Sequence, residues 1–175
     1  EGYKLPDAVE DEMQAIVEEI RGEQVETGQA RPVPNAALYY ANHAAAVLQE
    51  RGVDLSGMKI AVDCAHGASC ETTPATLRAL GAEVFVINGD PDGSEINVGC
   101  GSTHLEPVKF LMESRGADIA IAHDGDADRM LALAPDGTVI DGDFLLAICA
   151  KDLKERGLLD NNLVVSTVMA NLGFQ

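Results

Sequence analysis

Asp118-Ile119-Ala120-Ile121-Ala122-His123-Asp124-Gly125-Asp126-Ala127-Asp128-Arg129 runs from an unbroken apolar segment into three carboxylates at every second position, closed by an arginine. Four consecutive apolar residues, Ile119 to Ala122, read as a β-strand covered on both faces, since a half-exposed strand would alternate with polar residues. Such strands belong to α/β sheets flanked by helices, which bind ligands at the carboxyl ends of their strands. Asp124, Asp126 and Asp128 therefore fall at a ligand-binding edge. Gly125 and Ala127 leave the backbone room to curl, so that the carboxylates converge. Converging carboxylates repel one another unless a cation lies among them, and hard oxygen donors suit Mg²⁺ or Ca²⁺. Arg129 adds a planar cation suited to a phosphate oxygen. A divalent cation beside an arginine is the equipment of phosphoryl transfer. An acidic, solvated turn is the plainer reading, but the abrupt strand before the loop and the arginine after it favour a metal site.

The flanking segments continue the α/β pattern. Met58 to Val62 and Glu83 to Ile87 read as strands, with a helix from Thr73 to Leu80 between them, an order that implies a parallel pair with a right-handed crossover. Asn88 to Thr103 is a long loop rich in Gly, Asp and Asn, and loops of that length in compact domains usually carry function. Ser102 or Thr103 is placed to cap a helix running to Arg115; with the neighbouring glycines they also offer an anion-binding nest. Past the aspartates, Met130 to Ala134 and Thr138 to Ile140 flank the turn Pro135-Asp136-Gly137 as a hairpin. Asp141 opens a helix to about Arg156, and Leu163 to Val168 reads as a last strand with no partner in the chain. Upstream, a helix follows Pro6 to Ile20, a linker spans Glu23 to Pro34, and Asn35 is placed to cap a helix to about Arg51. The fold class is α/β, with a mixed, mainly parallel sheet between helices.

Composition narrows the function. The chain has 175 residues, 46% of them hydrophobic, enough for one α/β domain with flanking pieces. It has no apolar run long enough to span a membrane, and Glu1 to Glu12 are charged and polar, unlike a secretory leader. It starts without methionine, which reads as a piece of a longer polypeptide. Its 29 acidic against 12 basic residues give a net charge of −17. Such a surface repels nucleic acid and anionic membrane, so neither is expected as a partner. Cys64, Cys70, Cys100 and Cys149 show no C-x-x-C spacing, which argues against zinc. Cys64 and Cys149 read as small core residues of a reduced, cytoplasmic protein.

Other aspartate-rich loops fit less well. An EF-hand would need glycine where Arg129 stands and glutamate where Pro135 stands. A haloacid-dehalogenase-type phosphatase also places two aspartates after a strand, but here the pair comes late in the chain, with an arginine where small or hydroxyl residues are usual. The hexapeptide Asp124 to Arg129 instead resembles the metal-binding loop of the α-D-phosphohexomutases. Leu5-Pro6-Asp7, Val62-Asp63-Cys64-Ala65-His66-Gly67-Ala68 and Val139 to Asp143 resemble further segments of that family, although His66 stands where asparagine is more usual. Ile96 to His104 and Ser166 to Phe174 look most like its bacterial phosphoglucosamine mutase branch.

The resemblance implies a middle piece of a four-domain enzyme. Residues 1–33 would be the tail of domain 1, 34–157 domain 2, and 158–175 the start of domain 3. The implied reaction interconverts glucosamine 6-phosphate and glucosamine 1-phosphate through a phosphoserine and a bisphosphate. Asp124, Asp126 and Asp128 would hold Mg²⁺ and Arg129 would contact phosphate. The implied partners are a phosphorylated hexosamine and the missing domains of the same polypeptide. The phosphoserine lies outside the chain, so the piece alone is expected to be inactive and to bind Mg²⁺ weakly. Phosphomannomutase or phosphoglucomutase specificity, the phosphatase, and a non-catalytic acidic metal-binding domain are the alternatives. Among the histidines, His104 beside a helix start is a candidate for phosphate contact or proton transfer, although a polar residue there is more often structural. His66 can line the same sheet edge. His123 points away from the loop and reads as packing, and His43 carries no signal.

Overall fold

A computed structural model describes residues 4–23, 28–171 and 173. Positions 24–27 of the expected linker, and Leu172 and Phe174 of the last motif, lie outside them. The chain divides into two compact units, Glu1–Pro34 and Asn35–Gln175.

The first unit contains helix α1 (Asp7–Glu19). Extended Pro6 precedes it, Asp7 and Glu10 complement the positive end of its dipole, and Gly22 follows at φ +97°. Its apolar positions Val9, Met13, Ile16, Val17 and Ile20 are exposed.

The second unit holds a five-stranded sheet in the order β2-β1-β3-β4-β5. Its strands are β1 (Lys59–Asp63), β2 (Glu83–Ile87), β3 (Ile119–His123), β4 (Met130–Leu133) and β5 (Val139–Ile140). β1 pairs in parallel with both β2 and β3, whereas β3–β4 and β4–β5 are antiparallel. The sheet is thus mixed, and the aspartate loop is the connection between β3 and β4. Helices α2 (Ala36–Glu50) and α3 (Ser69–Ala79) pack on each other, α4 (Glu106–Arg115) packs on β1, β2 and β3, and α5 (Gly142–Glu155) follows β5.

Side-chain size explains the layering. Ala61, Ala120 and Ala122 form a flat patch on one face of the sheet, so α4 can press Val108 and Met112 against it. Ile60, Val62 and Cys64 fill the other face with Leu77 of α3 and with Ile119 and Ile121. β1 and β3 are therefore covered on both sides, as their apolar runs require. Among the described residues, no helix is long and apolar enough to cross a membrane.

Several expectations need correction. Asn35 adopts φ +58°, and its side chain does not cap α2; the usual capping geometry starts from an extended backbone. α3 begins at Ser69 instead of Thr73, so Pro74 lies inside it. Ser102 and Thr103 form a 3₁₀ turn with Gly101, while α4 starts only at Glu106 after Leu105, with no side-chain cap. Leu163 to Val168 forms no strand: Val165 and Val168 are exposed, and no neighbouring strand among the described residues supplies the backbone bonds a strand needs. Cys149 is exposed, because α5 buries none of its residues.

Candidate metal and phosphate site

The site begins where β1 and β3 end side by side, with Asp63 opposite Ala122. Alternation along β3 sends His123 to the α3 face, where its Nε2 lies 3.1 Å from Thr73 Oγ1. Burial pushes the His123 imidazole below its ordinary pKa of 6.5, which keeps the ring neutral. It packs, as the alternation predicts.

Asp124 follows and is 4% exposed. The loop closes on this side chain: Arg129 N–H donates to Asp124 Oδ1 at 3.1 Å, and Ala127 N–H donates to the Asp124 carbonyl at 3.1 Å. Ala127 takes φ +58° to complete the curl. Asp126 and Asp128 remain exposed. Ligand oxygens of the three aspartates lie within 4.8 Å of one another. Adjacent oxygens around a Mg²⁺ ion are about 3 Å apart, so the two exposed side chains would turn inward to gather all three on one ion. The donors are all hard oxygens and two face solvent, which fits a divalent cation with an open approach.

Arg129 lies across the same carboxylates. Its Nη2 is 2.6 Å from Asp124 Oδ2, an ion pair off the hydrogen-bonding direction, and its Nε donates to Asp128 Oδ1 at 3.1 Å. Burial would push the Asp124 carboxyl up, but the Arg129 amide and guanidinium outweigh it and hold the group below the ordinary carboxylate value. The Arg129 side chain is 77% exposed even though both carboxylates hold it. The arginine expected to meet phosphate thus sits against the expected metal ligands.

The other histidines lie further out. His104 is exposed after the 3₁₀ turn, with Nδ1 3.1 Å from Thr103 Oγ1. His66 adopts φ +54°, and its Nδ1 lies 2.8 Å from the Asp90 carbonyl, tying the loop after β1 to the loop after β2.

Four further residues shape the site without belonging to the aspartate motif. Ala68 N–H donates to the Gly125 carbonyl at 2.8 Å, and Gly67 meets Gly125 so closely that a Cβ on it would come within 2.7 Å of Gly125 Cα. Asn97 sits over the other side of Gly125, where a Cβ would lie 2.9 Å from its Nδ2. Asp63 is fully buried and accepts N–H bonds from Ala65 and Gly101, each at 2.9 Å. Their signals in the sequence are Asp63, a carboxylate ending a buried strand as Asp124 does, and the family-like segments Val62 to Ala68 and Ile96 to His104 that contain all four.

Known proteins resemble this chain in sequence and fold. Curated proteins named phosphoglucosamine mutase are 47% identical over the whole chain in Symbiobacterium thermophilum and 50% identical over 98% of it in Pelotomaculum thermopropionicum. The chain spans 39% of the length of each. The crystal structure of a phosphoglucomutase/phosphomannomutase family protein from Burkholderia thailandensis shares the fold, with a TM-score of 0.68 and 23% identity. That match covers 88% of this chain and 33% of the other. The family described as phosphoglucomutase/phosphomannomutase, alpha/beta/alpha domain II, matches residues 38–137, a stretch that contains β1 to β4, the aspartate loop and more than half the chain. On that match the chain belongs to the phosphoglucomutase/phosphomannomutase family and carries its domain II.

Proposed function

We propose that the intact polypeptide is a phosphoglucosamine mutase and that this chain supplies the loop that binds its Mg²⁺. The observation that carries the reading is 44–50% identity, across essentially the whole chain, to curated proteins of that name. The convergence of Asp124, Asp126 and Asp128 supports it. These three would hold the ion, which when bound neutralises charge on the transferring phosphoryl group. Arg129, exposed and pivoting from Asp124 and Asp128, would turn to a phosphate oxygen of the phosphorylated hexosamine. His104 is a second candidate for phosphate contact. The phosphoserine that exchanges with the sugar, through a bisphosphate, would come from another domain of the same polypeptide. Residues 1–33, 34–157 and 158–175 are then the end of a first domain, the second domain and the start of a third, in a cytoplasmic enzyme.

The test is turnover by the intact polypeptide of glucosamine 6-phosphate, glucose 6-phosphate and mannose 6-phosphate, with and without chelator. We expect glucosamine 6-phosphate to be preferred, chelation to stop turnover and Mg²⁺ to restore it. Preference for glucose or mannose phosphate would move the assignment to another branch of the family. Release of inorganic phosphate without isomerisation would overturn the mutase reading.

A further inference from the structure

We infer that Asp63 is a positioning residue for the aspartate loop, acting through the two loops that enclose Gly125; the inference rests on the metal-site reading of Asp124, Asp126 and Asp128. A buried carboxylate is costly unless its oxygens are satisfied, and both oxygens of Asp63 accept backbone N–H bonds. Those two bonds reach different loops. Oδ1 takes the Ala65 N–H in the loop after β1, and Oδ2 takes the Gly101 N–H at the end of the long loop after β2. One charge thus fastens both segments to the end of the central strand.

Each fastened segment in turn touches the aspartate loop. Three residues beyond Ala65, the Ala68 N–H holds the Gly125 carbonyl at 2.8 Å. Gly101 presses on the strand just before Asp124, where a Cβ would lie 2.5 Å from the His123 carbonyl oxygen. Asn97 N–H donates to Ala65 O at 3.2 Å, joining the two segments, and Ile96 and Asn97 cover Gly125. Gly125 is therefore held from both sides, and both holds trace back to Asp63. Metal ligands must be placed to within about 0.5 Å, so their supports matter as much as their identity.

The Asp63→Asn variant keeps the volume but turns an NH₂ group toward one of the two N–H donors. A control is Asp118→Asn, because the exposed Asp118 also accepts a backbone N–H at Oδ2, that of Lys59 at 2.8 Å, but at the opposite end of the strands. The readouts, made on the intact polypeptide, are amide hydrogen exchange and Mn²⁺ affinity. Asp63→Asn is expected to speed exchange of the Ala127 and Arg129 amides about tenfold and to weaken Mn²⁺ binding about tenfold, leaving the Ala120 and Ala122 amides protected. Asp118→Asn should change neither. Asn97→Gly tolerates the φ of +60° at that position, leaves Asp63 intact and should move the same reporters in the same direction. Unchanged Ala127 and Arg129 exchange in Asp63→Asn, or an equal change in Asp118→Asn, overturns the inference. If Asp63→Asn does not fold, wild-type exchange in Asn97→Gly overturns it alone. Failure of the wild-type protein to bind Mn²⁺ would instead sink the metal reading, while exchange still decides the positioning role.

Discussion

Replacing Gly67 with alanine tests the interlock between the loops directly. Gly67 has no left-handed φ, so alanine meets no backbone obstacle of its own there. The obstacle is Gly125. The added methyl would lie 2.7 Å from both Gly125 Cα and C, and closer still to its carbonyl oxygen. Comfortable carbon contacts begin near 3.5 Å, so the two carbons alone demand a retreat of roughly 0.8 Å, and the carbonyl oxygen demands more. Overpacking of this kind costs about 1–3 kcal/mol. Stretching the Ala68–Gly125 hydrogen bond adds about 1 kcal/mol. A total of roughly 2–4 kcal/mol should lower the Tm by about 6–12 °C for a unit of this size. The ligands would also leave their positions by more than a metal site tolerates, so Mn²⁺ affinity should fall by at least about tenfold. Gly93→Ala is the control, since a Cβ there meets nothing within 4 Å and its φ is ordinary. Thermal melts and Mn²⁺ titration of both variants are the assay. If Gly67→Ala melts with Gly93→Ala and binds Mn²⁺ like wild type, the interlock is not what holds the loop.

Asp126 is exposed and Asp124 buried, so Asp126→Asn should lose metal affinity with almost no change in Tm, whereas Asp124→Asn should lose both; calorimetric titration and melting separate them. The Cys64 thiol is pushed up to about 12 by burial, and burial raises Cys100 as well, so a thiol reagent at pH 8 should label exposed Cys149 first and these two only on unfolding. Mass spectrometry of the labelled peptides would show the order. His123 is held below its ordinary pKa, so the unfolded chain takes up its proton first; the stability it contributes is complete above about pH 6.5 and is lost as pH falls toward the folded value. Urea unfolding at pH 7 and 5.5 should show that loss, and His123→Gln should flatten it.

Local chemistry made much of this fold legible. The apolar runs of β2 and β3, the Pro135-Asp136-Gly137 hairpin and Asp141 as a helix cap all appear where neighbouring residues alone predict them; Asp141 Oδ1 accepts the Phe144 N–H at 3.0 Å. The helix-ending glycines Gly52, Gly81, Gly116 and Gly157 all adopt positive φ. Each of these features is settled within one turn or one strand. The failures share the opposite property. Leu163 to Val168 has strand composition but no neighbouring strand, and Cys149 lies in an apolar helix that buries nothing. Ser102 and Thr103 have capping side chains, but the chain is drawn into a 3₁₀ turn whose first residue, Gly101, is bonded to Asp63.

The same division runs through the site. Residue type and spacing, both local, place the three aspartates and their arginine at the end of a covered strand. The three-dimensional fold pairs Arg129 with Asp124 and Asp128 and closes Gly67 and Asn97 on Gly125. It alone brought the Gly101 amide to Asp63, 38 residues away. The contacts of Gly67, Asn97 and Gly101 join loops that are distant in the chain and meet only because parallel strands bring their carboxyl ends to one edge.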